Sequence, residues 1–521
     1  SGAGSLNVAA TIGTTLLAAG FDFQLSASNV ALTSLDVGSS ALASFGNRAI
    51  SVVATINGTP ATNTPIQITF QASCGVVSPA TVTTDNTGRA ASTYSANSLA
   101  CGGSNVSISA SAPGATPVQG AIAVQAPQAT NIQFVSATPQ LIYLTGSAGS
   151  TQSQLSFKVV DSAGAALQNQ SVQLSLITNT GTGVSLNTVG NSSPVTLTSD
   201  ANGVVSVAVF SGSVPTSVQV RAALTSNANV VATSNVLTVA SGRPVQRAAS
   251  LSAAKFAIEG GNIDGQTSDI TMSLADRQGN PVPDGTQVNF VSESGVMVPA
   301  SCVTAGGSSR CTVAIRSQGT RPANGLVAIM AYVPGEEDFV DANFNNAYDQ
   351  GETFTDLGNA YRDDNDSGAY DTGEFTVPRA GSSTCAGGTN GRANTCDGVW
   401  GIVDVRAQVN VVFSTSNANI VGTVTNATVV GGTATQGILT LRISDENGNS
   451  VATGSTIAAT IDSPVSSGCT ANLPFTTFSN RLTSVLFDVS LTKCIKGDSI
   501  TIRVTSPGGT ISARKFDITT P

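Results

Sequence analysis

The sequence predicts an all-β protein made of tandem β-sandwiches, and three observations carry that prediction. β-Branched residues alternate with turn formers along the whole chain of 521 residues, 53 of which are glycine. No long run of Leu, Glu and Lys at helical spacing interrupts them, so short strands and tight turns are the building material. A turn of the form Asp-x-x-Gly recurs, each time followed by a new alternating strand.

The turn has a mechanism. In VVDSAGAALQNQSVQLSL from Val159, LADRQGNPVPDGTQVNF from Leu274 and ISDENGNSVATGSTIAATI from Ile443, a strand ends in Asp-x-x-Gly and another strand begins a few residues later. ATINGTPATNTPIQITF from Ala54 is a shorter version built on Asn57 and Gly58. The Asp or Asn side chain can bond backbone two residues on, and glycine supplies a positive φ. TTDNTGRAASTYS from Thr83 and TSDANGVVSVAVF from Thr198 repeat the signal downstream.

The spacing of these turns predicts four domains. Asp161 and Asp276 lie 115 residues apart, whereas Asp276 and Asp445 lie 169 apart. The excess matches an insertion into the third unit, expected over 335–397. The boundaries read as 27–126, 127–242, 243–414 and 415–521, with residues 1–26 left over. Units of roughly 100 residues with about seven short strands suit a sandwich of immunoglobulin type.

The turns also carry a family likeness. The strand–DxxGxPV–strand pattern at Asp276–Val282 and the TxxDxxGxAxVxxxS-like strand at Thr198–Ser211 resemble the bacterial immunoglobulin-like repeats of invasin- and intimin-type surface proteins. The resemblance covers residues 28–521 at the level of architecture. It implies tandem sandwiches, a cell-surface or secreted location in a Gram-negative bacterium, and a role as stalk, adhesin or filament subunit.

Residues 1–26 fit none of the four units. In LNVAATIGTTLL, period-2 spacing puts Leu6, Val8, Ala10, Ile12 and Leu16 on one face of an unpartnered strand. Such a strand can double the edge of the first domain, be left from a preceding domain, or complete the sheet of a neighbouring copy by strand addition.

Eight cysteines fall as four local pairs: Cys74 with Cys101, Cys302 with Cys311, Cys385 with Cys396 and Cys469 with Cys494. None has the CxxC spacing of a metal or redox site, so they read as structural disulfides in an oxidising compartment. Ser1 opens no signal peptide, so the chain reads as the mature form. No apolar run is long enough to span a membrane, and no basic, aromatic-rich patch suits nucleic acid.

The absence of histidine excludes imidazole acid–base catalysis, Ser-His and Cys-His nucleophiles and His-ligated zinc. Carboxylate chemistry of the glycosidase kind stays open in principle, but aromatic sugar platforms are sparse. The expectation is a protein that is not an enzyme.

The charge is concentrated in one segment. Of 31 acidic residues, 12 lie between Glu336 and Glu374, against one of the 22 lysines and arginines. Within it DANFNNAYDQGE and DDNDSGAYDTGE repeat 22 residues apart. Positions 1, 3, 5, 7, 9 and 12 of a calcium loop become Asp341, Asn343, Asn345, the Ala347 carbonyl, Asp349 and Glu352 in the first. In the second they become Asp363, Asn365, Ser367, the Ala369 carbonyl, Asp371 and Glu374. A hard cation takes six to eight oxygens, and alternate residues around a turn supply them. Position 6, which wants φ > 0, holds Asn346 and Gly368. EDFVD and ETFTD echo one another beside the first loop, which adds Glu336, Glu337 and Asp356 as shared ligands. The flanks read as extended chain rather than helix, so these are EF-hand-like loops grafted into a sandwich, binding two or more Ca2+ ions.

Together these readings describe an extracellular structural protein, stiffened by calcium and disulfides, whose partners are copies of itself and a surface anchor. The alternative is a monomeric invasin-like adhesin that binds a host or cell-surface ligand.

Overall fold

The computed structural model describes residues 2–519 other than 26–27, 179–180, 380, 427–428, 431–432, 435 and 465–467. Its local geometry is set at the Asp-x-x-Gly turns. At Asp85, Asp161, Asp200, Asp276 and Asp445 one carboxylate oxygen accepts the backbone N–H groups two and four residues on, at 2.7–3.0 Å. The glycine at the fourth position (Gly88, Gly164, Gly203, Gly279, Gly448) has φ between 74° and 86°, where an L side chain would be strained. Its N–H closes back onto the aspartate carbonyl. All five turns pass the chain from one sheet of a sandwich to the other.

The third sandwich shows the plan. Ser250–Ala253, Thr267–Ser273, Arg310–Arg316 and Val296–Val298 form one sheet. Ala257–Ile258, Ile402–Phe413, Leu326–Glu336, Gln287–Ser292 and Ser301–Val303 form the facing one. Alternate residues of both sheets point inward, so strand Thr267–Ser273 buries Ile270 and Met272 while Thr271 meets Thr312 on the outer surface. Among the described residues the buried apolar side chains fall into four clusters, spanning residues 35–124, 132–239, 253–413 and 420–518. The molecule is therefore a series of immunoglobulin-like sandwiches, each with its own core.

In three sandwiches the opening strand switches sheets. Ala257–Ile258 runs parallel to the end of Ile402–Phe413. In the second sandwich Leu141–Tyr143 runs parallel to Leu237–Ala240, and in the first Leu42 forms a parallel bridge to Val124. The step pushes Leu42, Ile142 and Ile258 into their cores.

The joints are polar and specific. Ser241 N–H donates to Asp276 Oδ2 (3.2 Å) between the second and third sandwiches. Glu259, 2% exposed, accepts Ser506 Oγ–H (2.6 Å) and Gly508 N–H (2.5 Å) between the third and fourth. Each predicted cysteine pair is a disulfide in the structure.

The segment before the first sandwich is not one strand. Strand β1 (Gly2–Ile12) and strand β2 (Thr15–Leu25) form an antiparallel hairpin around Gly13 and Thr14, with Gly13 at φ 66°. The reversal changes the face assigned to Leu16, which pairs with Thr11, whereas Leu6, Val8, Ala10 and Ile12 alternate with Thr11. Leu16 therefore lies on the opposite face from those four, because a two-residue turn resets the period-2 parity. Leu6, Val8, Ile12 and Leu16 are all more than half exposed.

Separate cores predict separable unfolding. Phe157 is fully buried in the second cluster and meets Phe134 edge-on at 5.6 Å. Phe157→Ala should cost that sandwich about 3–5 kcal/mol. In calorimetry a single transition should move to lower temperature while the others stay in place.

Candidate metal centre

The acidic insertion grows from the tip of the longest hairpin in the third sandwich. Leu326–Glu336 and Ile402–Phe413 pair residue for residue from Leu326 with Val412 to Glu336 with Ile402. The ladder opens after Glu336, so the inserted segment is 337–401, shifted slightly from the expected 335–397. A long, buried hairpin is a rigid base for a segment that carries so much like charge.

Each calcium-like loop is closed by a short antiparallel ladder. At the first, Phe339 bridges Phe354, Val340 N–H donates to Thr353 O (2.7 Å) and Thr355 N–H to Asp338 O (2.8 Å). The second repeats this with Tyr361 bridging Thr376 and Arg362 N–H donating to Phe375 O (2.9 Å). The EDFVD and ETFTD echo is thus the two sides of one ladder. Strand pairs do here what flanking helices do in an EF-hand.

Inside the ladders the two loops are near-copies. Asp341 accepts the N–H groups of Asn345 (3.1 Å) and Asn346 (2.7 Å), as Asp363 accepts those of Ser367 (3.0 Å) and Gly368 (2.8 Å). Glu352 accepts the N–H groups of Ala342 (2.8 Å) and Asp349 (3.0 Å). Glu374 accepts those of Asp364 (2.8 Å) and Asp371 (2.9 Å). Asp349 Oδ2 receives the amides of Asn343 and Asn345, at 2.7 and 2.8 Å. Asp371 Oδ2 receives the Asn365 amide and the Ser367 hydroxyl, both at 2.8 Å, and these bonds hold its carboxyl below the usual range. Ala369 N–H donates to Ser367 Oγ (3.3 Å), as Ala347 N–H donates to Asn345 Oδ1 (2.8 Å).

The sixth positions have positive φ, 64° at Asn346 and 80° at Gly368. So do the fourth positions, Phe344 (59°) and Asp366 (58°), of which only the aspartate is a residue type that readily takes this conformation. The five side-chain positions of each loop are hydrogen-bonded within the same tight turn, and all of them carry oxygen. That donor set fits a hard divalent cation.

The tyrosines at position 8 anchor the loops. Tyr348 stacks on Trp400 (4.9 Å, 15°) and meets Phe354 edge-on (5.8 Å), while Phe339 meets both Tyr348 and Trp400 edge-on. Trp400 Nε1–H donates to Glu337 O (2.8 Å), which ties the stack to the hairpin base. Tyr370 lies edge-on to buried Tyr361 (5.9 Å), with the Arg392 guanidinium 4.2 Å above its own ring. Arg406, buried beneath, covers Tyr361 at 3.9 Å and donates to its carbonyl.

A third acidic group lies at the base of the first loop. One carboxylate oxygen from each of Glu337, Asp356 and Asp397 falls within 4.8 Å of the other two, and this cluster could hold a metal ion. Glu337 is fully buried and accepts the N–H groups of Leu357 (2.8 Å) and Gly401 (3.0 Å). Burial, with Asp356 and Asp397 nearby, pushes its carboxyl up to about 7. Asp356 Oδ2 accepts Gly398 N–H (2.8 Å), while its Oδ1 is buried with no hydrogen-bond partner. An orphaned carboxylate oxygen among like charges fits a cation better than it fits an empty protein interior.

The structure does not bring all the expected ligands together. Asp341, Asn343, Asn345, Asp349 and Glu352 are linked by hydrogen bonds within one loop, and Asp363, Asn365, Ser367, Asp371 and Glu374 within the other. Glu337 and Asp356 join Asp397 instead. Glu336 is turned away toward Arg243, 3.9 Å off, because successive strand residues face opposite sides. Asp397 went unnoticed in the sequence and Trp400 read only as an aromatic outside the loops, since both lie more than 20 residues beyond the acidic repeats. The adjacent Cys385–Cys396 disulfide is the signal that could have drawn them in.

No family model matches the chain, and no curated protein matches it. Solved structures that resemble it include domains of intimin, an adhesin and invasin. The D0–D1 domains of intimin share 17% identity over 39% of this chain and 91% of theirs, with a TM-score of 0.18. The Escherichia coli adhesin FdeC shares 15% over 59% and 92%, with a TM-score of 0.26. Invasin, described as a bacterial integrin-binding protein, shares 15% over 75% of this chain and 60% of its own, with a TM-score of 0.21. The sandwich assignment rests on the sheets and cores of this chain. Among the described residues no helix is long and apolar enough to cross a membrane, which leaves β-barrels aside.

Removing the aromatic anchor should free one loop only. Tyr348→Ala should raise amide hydrogen exchange across 338–355 by an amount equivalent to about 1 kcal/mol or more. Exchange across 361–376 should stay as in the parent.

Proposed function

We propose that this chain is a non-enzymatic, extracellular structural subunit of a bacterial surface filament or stalk, stiffened by calcium and able to pair with copies of itself through residues 2–25. The observation that carries this reading is the hairpin. Its exposed apolar residues Leu6, Val8, Ile12 and Leu16 belong to none of the four cores that follow in series. A tandem array of sandwiches, each about 35–45 Å long, makes a thin rod. A hairpin that leaves apolar side chains in water is suited to adding to another sheet. The four disulfides support an oxidising, extracytoplasmic setting.

Two loops and the Glu337–Asp356–Asp397 cluster are the proposed calcium sites. A bound cation would offset the mutual repulsion of a dozen carboxylates, and the insertion would serve as a brace on the third sandwich rather than as a reacting centre. Magnesium fits less well, because it demands near-octahedral geometry and keeps its waters. The loops lack the helix pair that a calcium sensor opens, so the role of the metal is structural.

A second reading is a monomeric adhesin that captures a host or cell-surface ligand. It is favoured by one feature, a cleft of about 700 Å³ between the insertion and the sandwich, lined by Gln246, Arg247, Leu251, Asp338, Asn390 and Arg406.

Negative-stain imaging of the native protein separates the two readings, as periodic filaments or as isolated rods. Deleting residues 2–25 should abolish filaments while all four unfolding transitions persist; filaments that form unchanged would sink the strand-addition reading. Calcium at a hundredfold excess over its Kd should stabilise the third sandwich by about 2.7 kcal/mol per site. Chelation should reverse this and open 337–401 to protease. Asp341→Ala combined with Asp363→Ala should remove most of the calcium response, and an unaltered response would overturn the loop assignment.

A further inference from the structure

The fourth sandwich departs from the other three at one edge. Its opening strand, Ala418–Asn426, stays with Gln436–Asp445 for nine paired residues and never switches sheets. Its facing sheet has only three strands, Thr456–Asp462, Ser499–Thr505 and Ile511–Asp517, in that order. The last of these is an edge. Among the described residues no segment pairs with its outer side, where each of the other sandwiches places its own parallel segment.

The core registers the loss. The closing strands of the first three sandwiches are sealed at this edge by the buried Leu42, Ile142 and Ile258 of their switching segments. Among the described residues the fourth core has no counterpart. Along Ile511–Asp517 only Phe516 is buried, and the inward-facing positions before it are Ser512 and Arg514. These two reach to the opening strand instead: Ser512 Oγ accepts Ala418 N–H (2.8 Å) and Arg514 donates to Ile420 O (2.6 Å).

Backbone parity shows which groups are free. Ile518 N–H donates to Asp498 O (2.9 Å) and Ser506 N–H to Thr510 O (2.9 Å). The even-numbered residues of Ile511–Asp517 therefore bond inward to Ser499–Thr505, and the N–H and C=O groups of Ile511, Ala513, Lys515 and Asp517 face outward. All four of those residues are exposed.

We propose that the outer edge of Ile511–Asp517 is an acceptor, and that its occupant is the hairpin of residues 2–25 from a second copy of this chain. This rests on the reading of the chain as a self-pairing subunit, and it names the surface that receives the strand. The occupant follows from complementarity within the chain. The fourth sandwich lacks a strand at an edge that three sister sandwiches fill with an apolar residue. Strand β1 offers Leu6, Val8, Ala10 and Ile12 along one face, exposed and outside every core. Adding both strands of the hairpin would bring the three-stranded sheet to five, the number in the corresponding sheet of the third sandwich. A heterologous contact of this kind, from one end of the chain to the other, generates an open filament.

The test uses full-length protein with single cysteines added. Asn7→Cys, Ala9→Cys and Thr11→Cys lie on the face of β1 opposite its apolar row, so in the joined sheet they share the solvent side with Ala513. Each is mixed with Ala513→Cys protein and oxidised mildly. A covalent dimer that forms in a mixture, and with neither protein alone, is the expected result. In parallel, Ala513→Pro removes an outward N–H that bonds nothing within the chain, as an edge strand tolerates. It should cut filament yield roughly tenfold or more while the melting profile is kept. If filaments form but none of the β1 cysteines links to Ala513→Cys, and Ala513→Pro assembles normally, the acceptor lies elsewhere and this inference falls while the filament reading stands. If the unaltered protein stays monomeric at every concentration, both fall.

Discussion

A carboxylate folded back onto the backbone just after it is the device on which the molecule depends. Five aspartates accept the N–H groups two and four residues on, and each does so where the chain crosses between sheets. The crossing fixes where the next strand starts, and a strand that starts one residue late turns its apolar face to water. Asp276 does double duty, since its second oxygen receives Ser241 N–H at the joint with the preceding sandwich. Local turn chemistry thus reaches into both register and domain arrangement.

The acidic loops extend the same device. Asp341 and Asp363 accept N–H groups four and five residues on, one step wider than the ordinary turn. The wider loop leaves room for further oxygen-bearing side chains to turn inward. A sandwich already rich in aspartate turns needs only a longer loop and a few carboxylates to arrive at a cation cage. The acidic loops sit at the tip of a long strand pair, where a ladder of eleven residue pairs holds the ends of the insertion at a fixed separation.

Much of this was legible in the sequence, and what was not has a physical reason. Asp-x-x-Gly is readable because glycine and aspartate are each chosen by backbone geometry at one position. The two repeated loops were readable because their spacing is a property of consecutive residues. Asp397 was hidden because it joins Glu337 and Asp356 through tertiary folding alone. The hairpin at Gly13 was hidden because TIGTTLL has a turn of two small residues inside an otherwise continuous strand pattern. The sheet-switching segments, such as Ala257–Ile258, are too short to carry a period. Glu336 was placed with its neighbour because adjacency in sequence hides the alternation of a strand.

The disulfides have a mechanical consequence. Each bridge encloses a short span, 27, 9, 11 or 25 residues, and no bridge links one sandwich to another. Under tension the bridged loops cannot be drawn out, but the rest of a sandwich can. The first sandwich would still release some 70 residues, or roughly 250 Å of extended chain, before the pull reached its bridge. A rod built this way resists small loads as a stiff beam and absorbs large ones by lengthening, and the covalent knots of the first, third and fourth sandwiches keep part of those units close at hand for refolding.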